Sequence, residues 1–177
     1  MRDEASFVEF AEGARARLRR TAYLICGDWE LASDHVQEGL IRVYVAWPSL
    51  TRAGREHAYA RRAVVSAALD HARRRSSREV PTEHHPDRPV TGPTGDLAEG
   101  VVVRDALMTS LLALAPRQRA CVVLRFVEDL SVEDTAAVLG CTEGTVKSQT
   151  SRALASLRSA LQGSPIGDLV PEGAQPW

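Results

Sequence analysis

Residues 131–161 read SVEDTAAVLGCTEGTVKSQTSRALASLRSAL, and this stretch decides the fold. Ser131-Val132-Glu133-Asp134 has the form of a capping box, in which a hydroxyl takes an orphan amide three residues on. Gly140 suits the left-handed stop after Leu139, and Thr142 is placed to cap a second helix. In that helix Val146, Thr150, Ala153, Leu154, Leu157 and Leu161 recur at helical spacing and predict a buried stripe. Lys147, Ser148, Ser151 and Arg152 are left on the open side of its N-terminal half. Two helices joined by so short a turn make a helix-turn-helix, whose second helix enters the major groove N-terminal end first. An ordinary helical hairpin competes for the same spacing, and the caps and the polarity together tell against it. Upstream, Ala106 to Leu114 and Arg117 to Val127, broken at Pro116, supply helices to pack against.

The N-terminal half reads as a second helical unit. Phe7, Phe10, Ala14, Leu18 and Ile25 predict the buried face of a helix over roughly Ser6 to Cys26, which Gly27 ends while Asp28 starts the next. Ala32, Val36, Leu40, Val43 and Trp47 then form one stripe, stopped by Pro48. Opposite it, Asp34, Gln37 and Glu38 are interleaved with Ile41 and Val45. Apolar groups beside carboxylates are a composition common on docking surfaces, the alternative being a helix buried on two sides. A third helix, about Glu56 to Arg75, keeps Ala60, Ala63, Val64, Ala67 and His71 on its apolar side. Tyr59, Arg62, Ser66, Asp70 and Arg73 project from the other. Arginines with a neighbouring aromatic suit phosphate contact and base stacking on single-stranded DNA, although a solvated charged face has the same composition.

Composition bounds the function classes. The chain has 177 residues, 44% hydrophobic but only 5% aromatic, which favours helices over a β-sandwich. With 22 basic and 23 acidic side chains its net charge is -1, so any attraction for nucleic acid must be local. The strong local patch is Arg52, Arg55, Arg61, Arg62, Arg73, Arg74, Arg75 and Arg78, set against only Glu56 and Asp70. Cys26, Cys121 and Cys141 are widely spaced and without a C-x-x-C pair, which indicates neither a disulfide framework nor a zinc site. No membrane-length apolar run and no signal peptide are evident, so a cytoplasmic location is expected. Residues 76–100 are rich in proline and glycine and read as a flexible linker, as does the segment after Gln162 as a loose tail.

These residues together resemble the bacterial sigma factors of the extracytoplasmic-function group. Leu114-Ala115-Pro116-Arg117-Gln118-Arg119, Val123-Leu124-Arg125-Phe126 and Leu130 to Ala136 are similar to the domain of that family that reads the minus-thirty-five element. Glu143-Gly144-Thr145-Val146-Lys147-Ser148 with Ser151-Arg152-Ala153 is close to its recognition-helix signature. Ala32 to Glu38 with Trp47 resembles the segment that grips the polymerase clamp helices, and Ala58 to Arg75 resembles the minus-ten-reading helix.

The resemblance implies an all-α protein of two small helical domains: 1–78 for polymerase docking and minus-ten recognition, a linker over 79–100, a helix-turn-helix domain over 101–161, and a tail over 162–177. It implies a non-enzymatic initiation factor whose partners are core RNA polymerase, promoter DNA and an anti-sigma protein. No cofactor, metal, small-molecule substrate or membrane insertion is expected. Asp34, Gln37, Glu38, Ile41 and Val45 would meet polymerase; Tyr59, Arg62, Ser66 and Arg73 the minus-ten strand; Lys147, Ser148, Gln149, Ser151 and Arg152 the minus-thirty-five duplex. The chain departs from common family residues at Gln149 and at Val65-Ser66, so specific base contacts do not transfer at those positions. Two rivals make different predictions. An autonomous helix-turn-helix repressor or activator, dimerised through its first domain, would bind a palindromic site tightly without polymerase. An enzyme or metal sensor would use His84, His85, Asp87 and the cysteines, which lack the rigid spacing a metal site needs.

Overall fold

A computed structural model describes residues 4–50, 55–78 and 98–162, and every regular element among them is helical. The elements are α1 (Glu4–Cys26), α2 (Trp29–Ala46), a 3-10 turn (Trp47–Ser49), α3 (Arg55–Arg78), α4 (Ala98–Ala113), α5 (Pro116–Val122), a π turn (Val123–Val127), α6 (Val132–Leu139) and α7 (Glu143–Ala160). Arg52, His84, His85, Asp87, residues 79–97 of the expected linker and residues 163–177 of the expected tail lie outside the described residues. Helix α4 begins at Ala98, three residues inside the expected linker of 79–100. Gly100 obscured this start, because a glycine next to a Pro/Gly-rich run reads as its continuation.

Helices α1 to α3 enclose one core. Asp28 opens α2 by accepting the amides of Glu30 and Leu31 on Oδ1, at 2.7 and 2.9 Å. The α2 stripe Ala32, Val36, Leu40, Val43 and Trp47 is buried against Leu18 and Ala22 of α1 and Ala60 and Val64 of α3. Phe7 and Phe10 lie 5.4 and 5.2 Å from the Trp47 ring. At Gly39 the α2 and α3 backbones approach so closely that a Cβ would stand 2.5 Å from Val64 Cγ2 and 3.1 Å from its backbone nitrogen. Only glycine fits that crossing.

The helix-turn-helix forms through the caps its sequence encodes. Ser131 Oγ accepts the Asp134 amide at 2.9 Å, and its hydroxyl donates to Asp134 Oδ2 at 2.7 Å. The box is thus closed through the hydroxyl. Gly140 adopts φ 62° and ψ 43°, and Thr142 Oγ1 accepts the Thr145 amide at 3.2 Å to open α7. The α7 stripe is buried from Val146 to Leu161, with Ala153 and Leu157 packed on Leu111, Leu114 and Val122.

Two expectations change where α5 ends and where α3 packs. The helix expected from Arg117 to Val127 gives way after Val122 to a π turn, with the Glu128 amide bonded five residues back to the Val123 carbonyl at 3.0 Å. Asp129 follows in the left-handed region at φ 52°, which a non-glycine residue seldom adopts. Helix α3 is buried on a second side as well, because Val65 and Ala68, together with Ile25 of α1, pack against Ala120, Val123, Leu124 and Val138. The two helical units therefore share an apolar contact.

Candidate nucleic-acid and polymerase-binding surfaces

On α2, Asp34 and Gln37 are exposed, and Glu38 is half-buried with an ion pair to Arg42 at 2.5 Å. Ile41 and Val45 are 59% and 76% exposed. These five residues follow one helical stripe opposite the buried one, so the two-sided buried helix is not what forms among the described residues. Sequence reasoning missed Tyr44, which is 51% exposed beside Ile41 and set edge-on to Phe7 at 5.0 Å. A large aromatic in this position was the available signal. Beneath the stripe His35 is buried, its ring 5.4 Å from His71, and burial with that neighbour holds its imidazole below the usual histidine range.

On α3, Arg62 and Arg73 are exposed, Tyr59 is 39% exposed, and Ser66 is half-buried. Arg73 pairs with Asp70 at 3.2 Å, a contact between a largely exposed side chain and its helical neighbour that water and salt weaken. Tyr59 and Arg62 line a cleft of about 520 Å³ whose other wall is Leu130, Asp134, Ala137 and Val138. Farther along, Arg62, Ser66 and Asp70 face Val138, Leu139 and Gly140.

On α7, Lys147, Ser148, Ser151 and Arg152 are exposed and Gln149 is half-buried. Ser148 Oγ bonds its own helix at the Thr145 carbonyl, 3.0 Å away. Lys147 and Arg152 form no ion pair among the described residues. Their charges stand beside the capped N-terminal half, where the free amides and dipole also favour an anion.

Two buried charged groups had no warning in the local pattern. Arg119 donates to the carbonyls of Ile25, Leu112 and Leu114 at 2.6, 2.8 and 2.9 Å, which satisfies backbone groups left over near the ends of α1 and α4. Glu128 is held by Arg17, Thr21 and Arg61. All three cysteines are free thiols, and burial pushes that of Cys121 up to about 11. Among the described residues no group of three His, Cys, Asp or Glu side chains could hold a metal ion, and no helix is long and apolar enough to cross a membrane.

Comparison with known families covers both units. Residues 11–78 match Sigma-70 region 2 and residues 104–157 match Sigma-70 region 4. The RNA polymerase sigma-E factor of Streptomyces avermitilis is 41% identical over 162 residues, covering 90% of this chain and 88% of that relative. The chain belongs to the extracytoplasmic-function sigma factors. The sigma-E factor of Streptomyces coelicolor is also 41% identical, over 87% of this sigma factor and 86% of that one. The ECF RNA polymerase sigma factor SigM of Mycobacterium tuberculosis is 31% identical over 90% and 79%. Among solved structures, the sigma factor RpoE of Bartonella quintana, crystallised with the anti-sigma factor NepR, shares the fold at a TM-score of 0.65 and 24% identity, over 88% of this chain and 98% of that one.

Proposed function

We propose that this sigma factor binds core RNA polymerase, directs it to specific promoters and helps to melt the minus-ten element, with no catalytic step of its own. The α2 stripe of Asp34, Gln37, Glu38, Ile41 and Val45 docks on polymerase, and Tyr44 joins it. Tyr59, Arg62, Ser66 and Arg73 take the minus-ten strand by stacking and phosphate contact. Lys147, Ser148, Gln149, Ser151 and Arg152 face the minus-thirty-five duplex. An anti-sigma protein controls availability, as the NepR complex of the Bartonella quintana relative suggests.

The observation that carries this reading is the exposed α2 stripe. Ile41 and Val45 stand in water beside carboxylates, the composition of a docking face, and the match of residues 11–78 to Sigma-70 region 2 supports polymerase as its partner over the second copy that a dimerising repressor would place there. The charge of α7 points the same way. Lys147, Arg152 and Arg158 are its only basic groups, and about three neutralised phosphates give a logarithmic salt slope of only about -2.7. Tethering to polymerase raises such weak contacts by about a hundredfold or more. The test is a salt-titrated binding assay on the sigma factor's own promoter duplex, with and without core enzyme. Weak binding alone and rescue by core are expected; nanomolar, sequence-specific binding by the chain alone would overturn the reading in favour of the repressor.

A further inference from the structure

A cleft of about 640 Å³ opens between α1 and the start of α2 on one side and α4 and the π turn on the other. None of the polymerase- or DNA-binding residues lines it. Its lining is aliphatic over Leu24, Leu107, Met108, Leu111 and Val127, beside Tyr23 and Trp29, and its charged groups are Arg20, Arg104 and Asp105. Proteins hold small molecules in pockets of about 300 to 1,000 Å³, apolar in lining and carrying a few placed polar groups. The cleft has both properties.

Its polar groups select for an anion. Tyr23 is 5% exposed, yet its hydroxyl has no hydrogen-bond partner among the described residues. A phenol so enclosed ordinarily finds one, and this one is left to whatever fills the cleft. Burial holds it above its ordinary range, with Arg104 and Asp105 acting on it in opposite directions, so at neutral pH the hydroxyl is a donor. Arg20 and Arg104 are exposed and form no ion pair among the described residues. Against Asp105 they leave the cleft one positive charge in excess, and a phenol donor with two guanidiniums is a set that recognises a carboxylate. The aromatic pair tells against a planar ligand. Tyr23 stacks on Trp29 at 3.9 Å and 7°, and the Arg19 guanidinium lies over the indole at 4.8 Å, so both faces of Trp29 are taken. What remains for a ligand's body is the aliphatic lining. We propose that this cleft binds a fatty acid of medium chain length, its alkyl chain against Leu24, Leu107, Met108 and Leu111 and its carboxylate held by Arg20, Arg104 and the Tyr23 hydroxyl. The site does not depend on the roles assigned to α2, α3 and α7.

Isothermal titration calorimetry of the full chain with decanoate, below its micellar range, tests the site. One saturable equivalent is expected, with a melting temperature that climbs with decanoate concentration, because the cleft exists only in the folded chain. Octanoate should bind about fifteenfold more weakly, at about fourfold per methylene. Decanol, which has the chain but no charge, should bind at least about tenfold more weakly than decanoate. Arg20→Gln and Arg104→Gln should each weaken decanoate by about tenfold, since each loses a charge-assisted hydrogen bond on an exposed side chain that the fold does not need. Tyr23→Phe keeps the stack on Trp29 and removes only the donor, and a similar loss is expected there. Arg15→Gln, on α1 but outside the cleft, should bind as the parent does. Absence of saturable binding, or equal binding of decanol and decanoate, overturns the carboxylate ligand. A Kd indifferent to chain length overturns the aliphatic chain, and equal affinity in the parent, Arg20→Gln, Arg104→Gln and Tyr23→Phe overturns the site.

Discussion

Replacing Ile41 and Val45 together by alanine should weaken core-polymerase binding while leaving the fold intact. Val45→Ala removes two methyl-sized groups and Ile41→Ala three, at about 0.8 kcal/mol each when fully buried. Val45 is 76% exposed and Ile41 59% exposed, so only that share of each side chain is still available for burial by a partner. The loss is then about 1.2 kcal/mol at Val45 and about 1.4 kcal/mol at Ile41, roughly an eightyfold rise in Kd for the pair. Stability should hold or rise slightly, because neither side chain contributes its exposed atoms to the core and alanine is the better helix former. Titration of labelled sigma factor with core enzyme measures the Kd, and thermal denaturation measures stability. An unchanged Kd with an unchanged melting temperature would refute the assignment of α2 as the docking face.

Three further outcomes follow from particular contacts. Arg152→Ala should cost duplex binding in the holoenzyme: about 1 to 3 kcal/mol at a single base position if the guanidinium reads a base, or a uniform loss if it contacts phosphate, which a randomised-promoter selection distinguishes. Arg119→Met should lower the melting temperature by about 6 to 12 °C, since stranding the carbonyls of Ile25, Leu112 and Leu114 costs at least about 3 kcal/mol in a chain of this size; a calorimetric shift under 2 °C, on the order of half a kcal/mol, would contradict that role. The His35 imidazole is held below the ordinary 6.5 in the folded state by burial and by His71, against weaker opposite effects from Glu38 and Asp34. The unfolded chain therefore binds its proton first, and stability present above pH about 6.5 is lost as pH falls below it. Melting temperatures between pH about 5.5 and 7.5, above the ordinary carboxylate range, should fall more steeply toward acid in the parent than in His35→Asn; parallel profiles would exclude the effect.

What the sequence by itself determined is what acts over one or two helical turns. Ser131, Gly140 and Thr142 satisfy or reverse the backbone within three or four residues, so their roles were legible without any neighbour. The stripes Ala32 to Trp47 and Val146 to Leu161 were legible because helical periodicity alone places them on one face, and the same periodicity put Ile41, Val45, Lys147 and Arg152 on the opposite one. The tertiary structure decided whatever depends on residues far apart in the chain. Val65 carries no mark that distinguishes a second buried side from a solvated one until α6 lies against it. The π turn after Val122 has no periodic signature, yet it turns Glu128 toward side chains 111, 107 and 67 residues away. A carboxylate in the sequence reads as exposed by default, because the cost of burying its charge is met only by partners that folding brings together.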